Sequence, residues 1–70
     1  MNLVIEKREA DGTVRVDIGK GPTRHSKAYV VQVLESLGLG ALAKQLKKGE
    51  WVDVPITQEP QVEALKKALG

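Results

Sequence analysis

The stretch Leu3-Val4-Ile5-Glu6-Lys7-Arg8-Glu9-Ala10-Asp11-Gly12-Thr13-Val14-Arg15-Val16-Asp17-Ile18 decides how the chain folds. Leu3-Val4-Ile5 opens one strand. In a second, Val14, Val16 and Ile18 alternate with Arg15 and Asp17, the period of a strand buried on one face. Asp11-Gly12 between two such runs signals a hairpin, because glycine takes a positive φ without steric cost. A two-residue turn would set Arg8 opposite Arg15 and Glu6 opposite Asp17, and like charges facing one another across strands repel. A three-residue loop with Gly12 in the left-handed region avoids both pairs and is the loop expected here.

Downstream of the hairpin, Gly19-Lys20-Gly21-Pro22 breaks the strand pattern. A helix is predicted to begin between Thr23 and Ser26, either of which can serve as N-cap. Val30, Val33, Leu34 and Leu37 follow the i, i+3, i+4, i+7 rule, and Gly38 stands where a left-handed residue ends a helix. Leu39, Leu42, Ala43 and Leu46 repeat that spacing up to Gly49, with Lys44, Lys47 and Lys48 near the last turn, where cations suit the helix dipole. Trp51-Val52-Asp53-Val54-Pro55-Ile56 reads as a strand with Val52, Val54 and Ile56 on one face. Pro55 lacks a ladder donor, which marks an edge strand. Thr57 opens a last helix that tolerates Pro60 in its first turn and lays Val62, Leu65, Ala68 and Leu69 along one side.

The order is β-β-α-α-β-α, with no linker, repeat or low-complexity segment. The expected fold class is α+β: a two-layer sandwich with a three-stranded antiparallel sheet covered on one face by helices. It is read as a single domain over residues 1–70: a hairpin at 1–18, two helices at 23–48, a strand at 51–56 and a C-terminal helix at 57–69.

Composition narrows the function classes. At 70 residues the chain holds one small core, and with no Phe, one Trp and one Tyr that core must come from Val, Leu, Ile and Ala. Such a core gives little burial per residue, so a homodimer is a second way to gain it. The absence of cysteine rules out disulfides and thiolate metal sites and fits a cytoplasmic protein. No apolar run approaches the ~18 residues of a membrane span, and the chain begins on a strand-like run, so neither membrane insertion nor a signal peptide is predicted. A formal charge of +2 permits acidic or nucleic-acid partners without demanding either.

Ala28-Tyr29-Val30-Val31-Gln32-Val33-Leu34-Glu35-Ser36-Leu37-Gly38-Leu39-Gly40, an apolar helix ending in Gly-Leu-Gly before a lysine-bearing one, resembles the C-terminal domain of the bacterial ribosomal stalk protein. Glu63-Ala64-Leu65-Lys66-Lys67-Ala68-Leu69 resembles that domain's last helix. Tyr29-Val30-Val31-Gln32-Val33-Leu34 is equally similar to the adaptor that delivers N-degron substrates to the Clp protease. The resemblance covers roughly residues 13 to 70 and implies a shared β-α-α-β-α-β scaffold. Two departures accompany it. The resembled fold ends in a strand, whereas this chain stops after its last helix and carries an extra strand at its start, as a circular permutation would arrange. The working residues also differ. The basic positions of the stalk domain's first helix fall here on Val31 and Leu34. The adaptor's acidic segment is replaced by Gly19-Lys20-Gly21-Pro22-Thr23-Arg24, which would repel an ammonium group.

No constellation for catalysis or metal binding is found, and no cofactor is expected. His25 is the sole histidine and is expected to be exposed near a helix start. The carboxylates are scattered among cations, and Gly19-x-Gly21 lacks the rest of a phosphate-binding loop. Lys20, Arg24, His25 and Lys27 cluster before a helix N-terminus, where free backbone N–H groups and the dipole favour an anion. They read either as a contact for phosphate or a carboxylate-rich surface, or as a solvated polar loop. Trp51 reads either as an interface anchor on the uncovered face of the sheet or as a cover over the sheet edge. The expected function is non-enzymatic: a protein-binding adaptor or inhibitor module acting on a larger machine. Its alternative is an RNA- or DNA-binding domain using the segment from Lys20 to Lys27.

Overall fold

A computed structural model describes residues 1–8 and 11–70, the side chains of residues 7 and 8 excepted. Its elements run β1 (Asn2–Arg8), β2 (Thr13–Asp17), β3 (Pro22–Ser26), α1 (Lys27–Ser36), α2 (Gly40–Lys47), β4 (Val52–Pro55) and α3 (Glu59–Leu69). The α+β class and the antiparallel sheet agree with the sequence reading, but the sheet has four strands in the order β3-β2-β1-β4, not three.

The additional strand is Pro22-Thr23-Arg24-His25-Ser26, where a helix start was expected. Gly19 and Gly21, with φ of 102° and 96°, turn the chain back on itself, and Asp17 Oδ1 accepts the Gly19 N–H at 2.7 Å to close the turn. The strand escapes a hydrophobicity reading because it lies at the sheet edge, where no residue needs to be fully buried and where proline and charge discourage pairing with other chains. Helix α1 therefore begins at Lys27, with Ser26 as its N-cap: the Ser26 side chain accepts the Tyr29 N–H at 3.1 Å. Helix α3 likewise begins later than Thr57, at Glu59, with Gln58 in extended conformation ahead of it and Pro60 within the first turn.

The hairpin register places Ile5 opposite Val16, Glu6 opposite Arg15 and Arg8 opposite Thr13. This avoids the two repulsive pairs and matches Glu6 with a cation instead. Residues 9–12 separate the last paired residues, so the spacing is one residue longer than a three-residue loop. The reason is parity: a one-residue slip would set Ile5 opposite Asp17 and carry a whole apolar set to the wrong face. Gly12 takes the expected left-handed conformation, with φ 76°. Glu9 and Ala10, also part of the expected loop, lie outside the described residues.

Strand β4 pairs only with β1 and forms the other sheet edge, as Pro55 requires. Beyond it, Ile56 N–H donates to Met1 O at 2.7 Å and the Met1 amino group donates to Ile56 O at 2.8 Å. Leu3, Ile5, Val14, Val16 and Val52 project from one side of the sheet into the core. They meet Val30 and Leu34 of α1, Ala43 and Leu46 of α2, and Leu65 and Leu69 of α3, all sealed from solvent. Val33, Leu37, Leu39, Leu42 and Ala68 pack around the margin half-buried. Among the described residues no polar or charged side chain is buried, so the interior is aliphatic throughout.

Candidate functional site

Because every pairing is antiparallel and alternation is unbroken, the strand registers say which residues share the sheet face that carries no helix. One row across the strands reads Arg24, Arg15, Glu6, and the next reads Pro22, Asp17, Val4, Asp53. Alternation extended by one residue from β4 puts Trp51 on the side of Asp53, next in line after Glu6. Trp51 is 61% exposed, so it stands in solvent rather than covering the edge. This face carries Glu6, Asp17 and the half-buried Val4 at its centre, with two arginines towards one edge and the indole at the other.

Arg15 and Arg24 are directly opposed on β2 and β3. Like charges in that position destabilise a sheet by a few tenths of a kcal/mol or more. Asp11 offsets part of this: its Oδ2 lies 3.4 Å from the Arg24 guanidinium, with both side chains more than half exposed. Asp11 is itself held by Thr13, whose hydroxyl donates to Oδ1 at 2.5 Å and whose backbone N–H donates to the same atom at 3.1 Å. These donors, the hydroxyl first, with Arg24 adding to them, hold the Asp11 carboxyl below its ordinary pKa. With Pro22 and Thr23, the two arginines line a notch of about 170 Å³ at the edge of the open face.

The four residues expected to form one basic loop are not brought together. An extended strand advances ~3.3 Å per residue and sends successive side chains to opposite faces. Lys20 lies in the β2–β3 turn and lines a concavity of about 600 Å³ with Glu63, Ala64, Lys66 and Lys67 of α3. Arg24 points to the open face. Lys27 begins α1, where its backbone N–H donates to Gly12 O at 3.0 Å. The helix N-terminus is thus closed by Ser26 and by the hairpin tip, which weakens it as an anion site.

His25 is half-buried on the helix side rather than exposed. Its Nε2 lies 3.0 Å from Thr23 Oγ1 and 3.2 Å from Leu69 O. A hydroxyl and an imidazole at this distance are what a nucleophile and its base would show, yet the hydrogen bonding assigns another role. The Thr23 hydroxyl donates to Leu69 O at 2.8 Å. With the proton on Nε2, the imidazole donates to the same carbonyl, Leu69 O, that the Thr23 hydroxyl reaches. The Tyr29 hydroxyl donates to Ala68 O at 3.1 Å, and its ring lies 5.8 Å from that of His25. Together Thr23, His25 and Tyr29 satisfy the orphan carbonyls at the C-terminus of α3 and fasten that helix to the sheet edge. Sequence reasoning missed Thr23 and Arg15. The i, i+2 spacing of Thr23 and His25 would have signalled a common strand face had β3 been recognised.

Among the described residues there is no group of three metal-ligating side chains and no helix long and apolar enough to cross a membrane. No family model, curated protein or solved structure matches the chain.

Proposed function

We propose that this chain is a non-catalytic binding module that docks a protein partner on the helix-free face of its sheet, in the manner of a small adaptor or inhibitor. The observation that carries the reading is Trp51, one of only two aromatic residues, left 61% exposed beside a face that also presents Arg15 and Arg24. Tryptophan and arginine are enriched at interface hot spots, tryptophan because it covers a large area with two torsions and arginine because its planar guanidinium bonds directionally through five donors. Keeping the larger aromatic out of an aliphatic core forgoes burial that a chain of this size could use.

A second reading, single-stranded nucleic acid, is favoured by one feature. The Arg15–Arg24 pair lining an edge notch fits a phosphate, with Trp51 across the same face able to stack on a base. The two readings separate by experiment. Trp51 is the only tryptophan, so its emission reports directly on occupancy of this face. Titration with mixed RNA and DNA oligomers at low salt should leave emission and anisotropy unchanged under the protein-binding reading, and should shift both in a steeply salt-dependent way under the other. Affinity capture with the wild type, Trp51→Ala and Arg24→Glu then tests the protein reading. One partner retained by the wild type and lost by both variants supports it. Retention by both variants sinks it.

A further inference from the structure

Helix α1 carries a second surface, apolar at Ala28 and at Val31, whose inner side packs on the margin of the core while its outer side is left half-exposed. Lys27, Ala28, Val31, Gln32 and Glu35 line a shallow groove of about 550 Å³, bordered by Gly12 at the hairpin tip and Lys47 at the end of α2. Their spacing, i, i+1, i+4, i+5, i+8, places them along one stripe of the helix, turned away from the buried Val30 and Leu34.

The charges on this stripe are arranged symmetrically. Lys27 lies four residues before Val31 and Glu35 four residues after it, so the stripe has a cation at one end and a carboxylate, paired with Lys47, at the other, with Ala28, Val31 and the Gln32 amide between. A partner helix that complements it must run in the opposite direction, with an anion facing Lys27, a cation facing Glu35 and small apolar residues at the middle. Turned over about a twofold axis through Val31, α1 itself meets each requirement. We propose that this stripe is the contact between two copies of the chain, α1 packed antiparallel on α1 of its mate.

In that arrangement Val31 meets Val31 of the second copy, and Ala28 lets the helices approach closely. Lys27 of each copy faces Glu35 of the other, giving two ion pairs per dimer, as an isologous interface requires. Glu35 already accepts Lys47 Nζ at 3.0 Å, with both side chains about half exposed, and a carboxylate has lone pairs for a second cation. The contact is small, so the dimer is a weak one. It lies in the helix layer and leaves Arg15, Arg24 and Trp51 uncovered, so each dimer presents two open sheet faces.

Sedimentation equilibrium of the full chain tests this. The wild type should show a reversible monomer–dimer equilibrium. Lys27→Glu alone and Glu35→Lys alone should each weaken it about tenfold or more, since each turns two attractions into two repulsions. The double variant Lys27→Glu/Glu35→Lys should restore it. A 1:1 mixture of the two single variants should associate more tightly than either alone, because only the mixed dimer pairs every charge. As a readout that needs no charge reversal, Val31→Cys, in a chain without other cysteines, should cross-link to itself under mild oxidation. A wild type that stays monomeric to about 1 mM would overturn the proposal. So would a dimer indifferent to both reversals, a mixture no tighter than its components, or a Val31→Cys variant that fails to cross-link.

Discussion

Leu46→Ala tests the packing on which the whole fold depends. Leu46 is fully buried on α2 within the single aliphatic cluster formed by the sheet and the three helices. Truncation of a buried leucine costs about 2–5 kcal/mol, from lost transfer energy plus the cavity left behind. A 70-residue domain at the usual ~0.05–0.15 kcal/mol per residue has a total of roughly 3.5–10 kcal/mol. One methyl-for-isobutyl exchange therefore removes a large fraction of the stability, and no buried aromatic is present to compensate. With a urea m-value of about 1 kcal/mol/M, a 3 kcal/mol loss moves the midpoint down by about 3 M. Far-UV circular dichroism is the right probe, because Trp51 is already solvated in the folded state and its emission changes little on unfolding. Val33→Ala provides the contrast: Val33 only packs against the margin of the cluster, so the loss should stay under about 1.5 kcal/mol. A Leu46→Ala loss below about 0.5 kcal/mol, or a Val33→Ala loss as large as that of Leu46→Ala, would refute this account of the core.

Three further outcomes are expected. Thr23→Val and His25→Ala should each cost about 1–2 kcal/mol and accelerate amide exchange in the last turn of α3, whereas Arg24→Ala should change stability by less than about 0.5 kcal/mol; equal effects at all three positions would mean that the C-terminal carbonyls are not held as described. The Asp11 carboxyl, followed by carbon NMR, should titrate below the ordinary aspartate value of about 3.9. A folded pKa below the unfolded one means that its contribution to stability is present above that ordinary value and is lost as pH falls through the folded pKa. Thr13→Ala should move the midpoint back up, and a wild-type midpoint at or above the ordinary value contradicts the hydrogen bonding at the hairpin tip. Trp51 should be freely quenched by acrylamide in the isolated chain, and Trp51→Ala should leave the urea midpoint within experimental error; a protected indole would place it under the sheet edge instead.

Local chemistry was enough to read much of the fold. The period-2 alternation of Val14, Val16 and Ile18, and the 3.6-residue stripes ending at Gly38 and Gly49, name core faces through residues that must leave water. Pro55 likewise announces an edge strand because it has no N–H to give. The identities of strands and helices that bury apolar side chains were legible for that reason.

Only tertiary structure decided the rest. Residues 22–26 become a strand through the backbone bonds that β2 offers them, and a strand formed by pairing alone leaves no hydrophobic period to read. That one strand separates Lys20, Arg24, His25 and Lys27, which sequence neighbourhood had made a cluster, and sends them to a turn, the open face, the helix side and a helix start. It also brings Thr23 and His25 to the carbonyl of Leu69 across more than forty intervening residues. Burial preference is a property of each residue and can be read singly. Which polar groups meet is a property of pairing and register, and the folded chain alone sets it.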